Sequence, residues 1–227
     1  MKEDDSIEEE KNINPEYIIE DVKDQNFDNN KKTYKVIIIG NTGVGKSCIS
    51  FRFLKKKFND QLPATISLDV SYYRVKINNR IIQIQFWDTC GNDEFAQKTP
   101  NLFKNSSLAI IVYALNNMQS FKDIYCWNNI LNELSFDCIK YLVGNKSDLE
   151  RVIEKNKVEN FVDSYNFSKY FETSAKSGCN IKELMDSIVI SLYEKFEKEN
   201  ENKSDTISLK KELHRKKSKK TIRGCCK

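Results

Sequence analysis

Residues 40–47 read Gly40-Asn41-Thr42-Gly43-Val44-Gly45-Lys46-Ser47. The spacing is GxxxxGK[ST], and its neighbours are the ones that motif needs. Before it runs Tyr34–Ile39, an apolar stretch suited to a strand; after it comes Cys48–Phe53, the apolar start of a helix. The physics lies in the backbone. Glycines let the loop turn so that successive N–H groups aim at one anion. The start of the following helix adds a favourable dipole. Lys46 brings a point charge for the outer phosphates, and Ser47 a hydroxyl for magnesium. Nucleotide-binding candidates are therefore Gly40, Asn41, Thr42, Gly43, Val44, Gly45, Lys46, Ser47 and Cys48. A glycine-rich turn that binds nothing is the alternative, yet three of the chain's 7 glycines fall in this loop.

Outward from the loop, short apolar runs alternate with helical patterns. Val36–Ile39 and Leu108–Leu115 are continuous runs that suit strands buried on both faces, as does Tyr141–Val143. Ile82, Ile84 and Phe86 alternate with Gln83 and Gln85, the period of a half-covered strand. Ile181, Leu184, Met185, Ile188, Val189, Leu192 and Phe196 recur at helical spacing behind Asn180, a candidate cap. Strands separated by helices predict an α/β domain: a mostly parallel, six-stranded sheet with helices on both faces.

A second motif, Asn145-Lys146-Ser147-Asp148, follows the strand Tyr141–Gly144. A carboxylate accepts hydrogen bonds and donates none. Guanine offers N1–H and an exocyclic amine side by side, which matches Asp148. Adenine lacks both donors and would leave that carboxylate unpaired, a discrimination of roughly 10⁴-fold. A phosphate-loop kinase or ATPase is thereby disfavoured. A solvated turn is the plain alternative for four such residues.

Composition narrows the class. The chain has 227 residues, 39% apolar and 31% charged. That suits one domain with tails. Its longest apolar run, Leu108–Leu115, is far below the roughly 20 residues of a membrane span. The only histidine is His214, which excludes a histidine-based triad in the core. The seven cysteines show no CxxC spacing, so a zinc ribbon is not expected. The net charge of +4 conceals a gradient. Residues 1–33 carry −6, 34–202 carry +2 and 203–227 carry +8. Three regions follow: an acidic extension at 1–33 expected to be disordered, a folded domain at 34–198, and a flexible basic tail at 199–227. The extension holds one weak helical signal, Asn14-Pro15 followed by Tyr17, Ile18 and Val22. The basic tail lacks the interleaved aromatics of a nucleic-acid binder, so none is expected.

GNTGVGKS, Thr65, Trp87-Asp88-Thr89-Cys90-Gly91, Asn145-Lys146-Ser147-Asp148 and Glu172-Thr173-Ser174-Ala175-Lys176 occur in the order and spacing of the Ras-like small GTPases. The resemblance covers about residues 34–198. Within that superfamily the chain looks most like a Rab, on the WDTCG strand end, the Ile-x-Leu-Asp stretch after Thr65 and the cysteine pair Cys225-Cys226.

The resemblance implies a single phosphate-loop G domain binding GTP or GDP with Mg²⁺. Thr65, in the loop 61–69, resembles the switch threonine that binds magnesium and the γ-phosphate. Asp88 resembles the carboxylate that holds magnesium through water, beside Ser47. Gly91 resembles the glycine whose N–H senses the γ-phosphate. Phe58 stands where the family sets an aromatic against guanine, and Lys146 lays its stem along the base. Ser174, Ala175 and Lys176 match the segment whose backbone N–H reads guanine O6. Hydrolysis would release the loops 61–69 and 91–104. Lys46, Thr65, Gly91 and Asn92 are the catalytic candidates.

Departures from the pattern matter. Asn92 replaces the usual glutamine that orients the attacking water. One methylene less implies slow hydrolysis, a misplacement worth ~10²-fold; a pseudo-GTPase scaffold is the alternative. Cys90 stands for alanine, Ser67 for glycine and Leu62 for a switch tyrosine, while Leu102–Ser106 replaces a YYRGA-like segment. Partner choice therefore cannot be carried over from a common Rab. Effectors, an exchange factor, a GTPase-activating protein and prenylation and escort machinery are implied in general terms. Gly224-Cys225-Cys226-Lys227 is not a CaaX box but resembles the doubly geranylgeranylated Rab terminus. Two lipids beside a basic patch would anchor stably where one would not. The expected place is the cytoplasmic face of an intracellular membrane, in exchange with the cytosol.

Overall fold

The computed structural model describes residues 17–22, 28, 31–65, 68–91, 99–135 and 137–200. The elements are β1 (Ile19–Asp21), β2 (Thr33–Ile39), α1 (Lys46–Lys55), β3 (Leu68–Ile77), β4 (Arg80–Thr89), β5 (Leu108–Ala114), α2 (Met118–Lys122), α3 (Ile124–Leu134), β6 (Ile139–Asn145), α4 (Lys155–Ser164) and β7 (Lys169–Glu172). A closing helix, α5, spans 181–200.

The sheet runs β1-β3-β4-β2-β5-β6-β7. β2 pairs in parallel with β4 and β5, β5 with β6 and β6 with β7, while β3 is antiparallel to β1 and β4. Strand order turns about β2, so the crevice at its carboxyl end is the binding position of an open α/β sheet. The loop 40–45 lies there.

All seven residues of β5 are buried. Alternate side chains of β5 enter opposite cores. Leu108, Ile110 and Val112 pack with Ile49 and Phe53 of α1 and with Ile188 and Leu192 of α5. Ala109, Ile111 and Tyr113 pack with Trp127 and Leu131 of α3 and Val158 of α4. Helices thus cover both faces. No helix among the described residues is long and apolar enough to cross a membrane.

The sheet has seven strands rather than the expected six. The extra strand comes from the acidic extension, where Ile19–Asp21 is strand and no helix forms over residues 17–22. Ile19 pairs with Ile77 on the edge of β3 and packs on the core. Around it, Tyr73 donates to Asp21 and Lys76 to Glu20, the latter at 2.8 Å. Edge pairing to β3 therefore corrects the disorder expected for Ile19–Asp21 and leaves the weak helical signal unrealised there. Gln83, read as an exposed alternate of β4, is fully buried. Its amide donates to the Asp28 carbonyl and accepts from the Asp28 N–H, both at 2.8 Å. A side-chain amide here replaces a strand neighbour.

Candidate functional site

Helix α1 starts at Lys46 behind Gly45, with no side-chain cap and no acid in its first turn. Its first N–H groups are therefore free for an external anion. Gly45 has φ 98°, and a Cβ there would stand 2.3 Å from Asn145 Nδ2. Only glycine meets both demands. The Lys46 ammonium bonds the carbonyls of Gly40 at 2.9 Å and Asn41 at 3.0 Å, folded back over the loop. Burial pushes its pKa down to about 8, against the opposing attraction of Asp88.

Three oxygens meet beside this helix start. Ser47 Oγ lies 2.8 Å from Thr65 Oγ1, Ser47 donates to Asp88 Oδ2, and Thr65 Oγ1 is 3.4 Å from that same oxygen. The other Asp88 oxygen, Oδ1, is buried with no hydrogen-bond partner. Burial raises the Asp88 pKa, and bonds from Ser47, the charge of Lys46 and a bond from Thr65 pull it back. Two hydroxyls and a carboxylate with an orphaned oxygen are hard donors that fit magnesium. Among the described residues no group of three His, Cys, Asp or Glu could hold a metal, so a zinc-type centre has no counterpart.

Gly91 backs directly onto the loop: a Cβ there would lie 2.1 Å from Thr42 N and 2.3 Å from Asn41 C. Thr42, Gly45, Lys46, Thr65 and Gly91 line a cavity of about 390 Å³. A second cavity of about 210 Å³ adjoins it, lined by Asn145, Lys146, Asp148, Ala175 and Lys176. Phe58, Cys48, Gly45 and Lys146 border both. The first has the chemistry for phosphates, and the second holds a carboxylate beside an apolar wall.

Some sequence-read residues face elsewhere. Asn145 is buried, donates to the Val44 carbonyl at 2.9 Å and accepts from Thr173 Oγ1 at 3.3 Å and Ala175 N–H at 3.2 Å. Its side chain staples the phosphate loop to the segment 173–175, and the Ala175 N–H is directed at it. The Asn41 side chain turns away from the phosphate loop to Asp123 and Trp127. Ser174 reaches Asp148. Asn92, Cys225 and Cys226 lie outside the described residues.

Sequence reasoning missed the supports. Trp127 bonds Asn41 across 86 positions. Arg151 pairs with Glu172, and Tyr170 donates to Glu172 at 2.7 Å and lies 2.9 Å from Tyr113 across their hydroxyls. No local pattern marks such partners.

The family model described as Ras family matches residues 35–194. Ras-related protein Rab-10 of Diplobatis ommata is 34% identical over 172 residues, 73% of this chain and 86% of that protein. Rab-1D of Dictyostelium discoideum is 33% identical over 153 residues, 66% and 74% of the two chains. Rab-8A of Bos taurus is 32% identical over 174 residues, 75% and 84%.

Proposed function

The chain belongs to the Ras family as a Rab-like small GTPase of vesicle traffic, and from that membership we propose how its own residues run the switch. The observation that carries the proposal is the meeting of Ser47, Thr65 and Asp88 oxygens at the start of α1. Thr65 belongs to a loop between α1 and β3 and already bonds Ser47 and Asp88; a bound γ-phosphate and cation would add the contacts that favour the closed loop. Gly91, against Thr42 on the other side, reports the same phosphate to the segment that follows.

Hydrolysis joins a water oxygen to the γ-phosphorus and breaks its bond to the bridging oxygen, giving GDP and phosphate. Lys46, swung off its loop carbonyls, neutralises charge on the outer phosphates. Ser47, Thr65 and Asp88 would hold Mg²⁺, which would supply neutralisation of phosphate charge. Asp148 reads the guanine donors, with Phe58 and Lys146 against the base. Asn92 orients water less well than a glutamine would, so the GTP state is long-lived. The same residue supports a second reading, a scaffold that binds nucleotide without useful turnover.

Membrane attachment runs through Cys225 and Cys226, carrying two prenyl groups beside the basic tail. Effectors, an exchange factor and an activating protein act on the loops around Thr65 and Gly91. The test is single-turnover hydrolysis of GTP and ATP with Mg²⁺. GTP alone should be hydrolysed, slowly, and Asn92→Gln should quicken it by about 100-fold. An arginine-supplying activator should add 10³–10⁵-fold. Equal rates for wild type and Asn92→Gln would remove the slow-switch argument; failure of any activator would favour the scaffold.

A further inference from the structure

Asn41 has both polar side-chain atoms engaged, and both partners lie outside the phosphate loop. Its Nδ2 donates to Asp123 Oδ2 at 2.5 Å, and its Oδ1 accepts from Trp127 Nε1 at 2.9 Å. Asp123 joins α2 to α3, and its second oxygen accepts from Gln119 Nε2 at 2.7 Å. Trp127 is fixed in turn, only 2% exposed in the core under β5. The Asn41 main chain is equally committed: its carbonyl accepts from Lys46 Nζ at 3.0 Å, and its carbonyl carbon abuts Gly91.

Gly40 and Gly43 flank this residue at φ 133° and 78°. Such a backbone has many alternatives, and each would scatter the N–H groups meant for phosphate. A side chain held at both ends removes that freedom before the ligand arrives. The geometry points to Asp123 and Trp127 as positioning residues for phosphate handling, acting through Asn41. The inference rests on the GTPase reading of the loop and adds two residues and a helix to it. It also gives α3 a direct mechanical line to the phosphates and to Gly91.

The test uses the full chain and release of a fluorescent GDP, with single-turnover GTP hydrolysis alongside. Asp123→Ala should release GDP about 10-fold faster, the scale of a lost hydrogen bond to a charged partner. Asp123→Asn keeps an acceptor for Asn41 and should stay within about 3-fold of wild type. Trp127→Phe, which keeps the packing, should fall between them. Asn41→Asp sets two carboxylates against each other and should be the worst variant. The swap Asn41→Asp with Asp123→Asn restores a donor facing an acceptor and should recover most of the loss. The preference for GTP over ATP, set at the base cavity, should not move in any of them; general loosening would blur both ends. Wild-type release by Asp123→Ala, or a swap no better than Asn41→Asp, overturns the inference while leaving the GTPase intact. A wild type that binds no GTP overturns the underlying reading instead.

Discussion

The Ser174 hydroxyl donates to the Asp148 carboxylate at 2.6 Å. Ser174 also accepts from the Ser177 N–H at 3.0 Å, which fixes its rotamer. One oxygen of Asp148 is thus spoken for, and the carboxylate is turned before any base enters. Ser174→Ala removes the donor and frees that rotation. GDP release should become about 10-fold faster, and the preference for GTP over ATP should shrink, while hydrolysis of bound GTP stays unchanged. Release kinetics against a binding competition with ATP separate these effects.

Much of this was legible because its causes are local. GNTGVGKS encodes a glycine turn and a helix start in consecutive residues, and Asn145–Asp148 lies at the end of an apolar strand. The oxygens of Ser47, Thr65 and Asp88 needed a family likeness, since nothing local unites three separate elements. Asp123, Trp127 and the Arg151–Glu172 pair were illegible. Their side chains are ordinary for a helix start, a core, a loop and a strand end, and only the tertiary fold brings each to its partner. The strand at Ile19 carries no sequence mark, because a three-residue edge strand has no period of its own to set against an acidic, disordered-looking stretch. Its reason is the free edge of β3.

Gly91→Ala should separate binding from switching. The new Cβ would stand 2.1 Å from Thr42 N, which is backbone and has no rotamer by which to yield. Either the phosphate loop or the segment after β4 must move. GDP should still bind, because the base cavity is untouched. GTP hydrolysis should drop by about 100-fold, since this chemistry depends on position. Single-turnover hydrolysis with saturating GTP checks it; a wild-type rate would mean the contact relaxes at no cost.

Glu172 makes stability depend on acid in a defined direction. Burial would raise its pKa, but hydrogen bonds from Arg151 and Tyr170 and the charge of Arg151 outweigh that and hold it below the ordinary value. A folded pKa below the unfolded one contributes stability above the unfolded value, lost as pH falls through the folded value. Glu172→Gln should therefore cost about 1 kcal/mol at pH 7. The gap to wild type should narrow as the pH drops below about 4. Urea midpoints at the two pH values measure it, and a gap that widens in acid would contradict the sign.

Gln83 tests the extension separately from the site. It pairs with Thr33 at the start of β2, whereas the phosphate loop follows Ile39 at the other end. Gln83→Leu keeps the bulk and removes the two bonds that the Gln83 amide makes to the Asp28 main chain, while the Asp28 carbonyl keeps the Lys31 N–H at 3.1 Å. The cost should be about 1–3 kcal/mol. GDP release should not change, because nothing in the loop leans on this end of the strand. Further along, Tyr17 packs edge-on against Tyr193 of α5 at 6.0 Å, so deleting residues 1–30 should destabilise more than Gln83→Leu. Denaturation midpoints of both variants beside their GDP release rates give the answer.

The proposed anchor makes a prediction that separates lipid from charge. One prenyl group binds a membrane marginally and reversibly, while two, or one with a basic patch, hold stably. Lys216, Lys217, Lys219, Lys220 and Arg223 lie just before Cys225 and Cys226. Each base near an anionic leaflet adds about 1 kcal/mol. The double change Cys225→Ser/Cys226→Ser should move the protein into the soluble fraction even with every base intact, because five bases at about 1 kcal/mol each bind only marginally. Cys226→Ser alone should give an intermediate partition that raised salt abolishes. Neutralising the five bases while keeping both cysteines should weaken attachment without ending it. Fractionation of cells expressing the three variants, at low and high salt, tells them apart; a double-cysteine variant still on the membrane would refute the anchor.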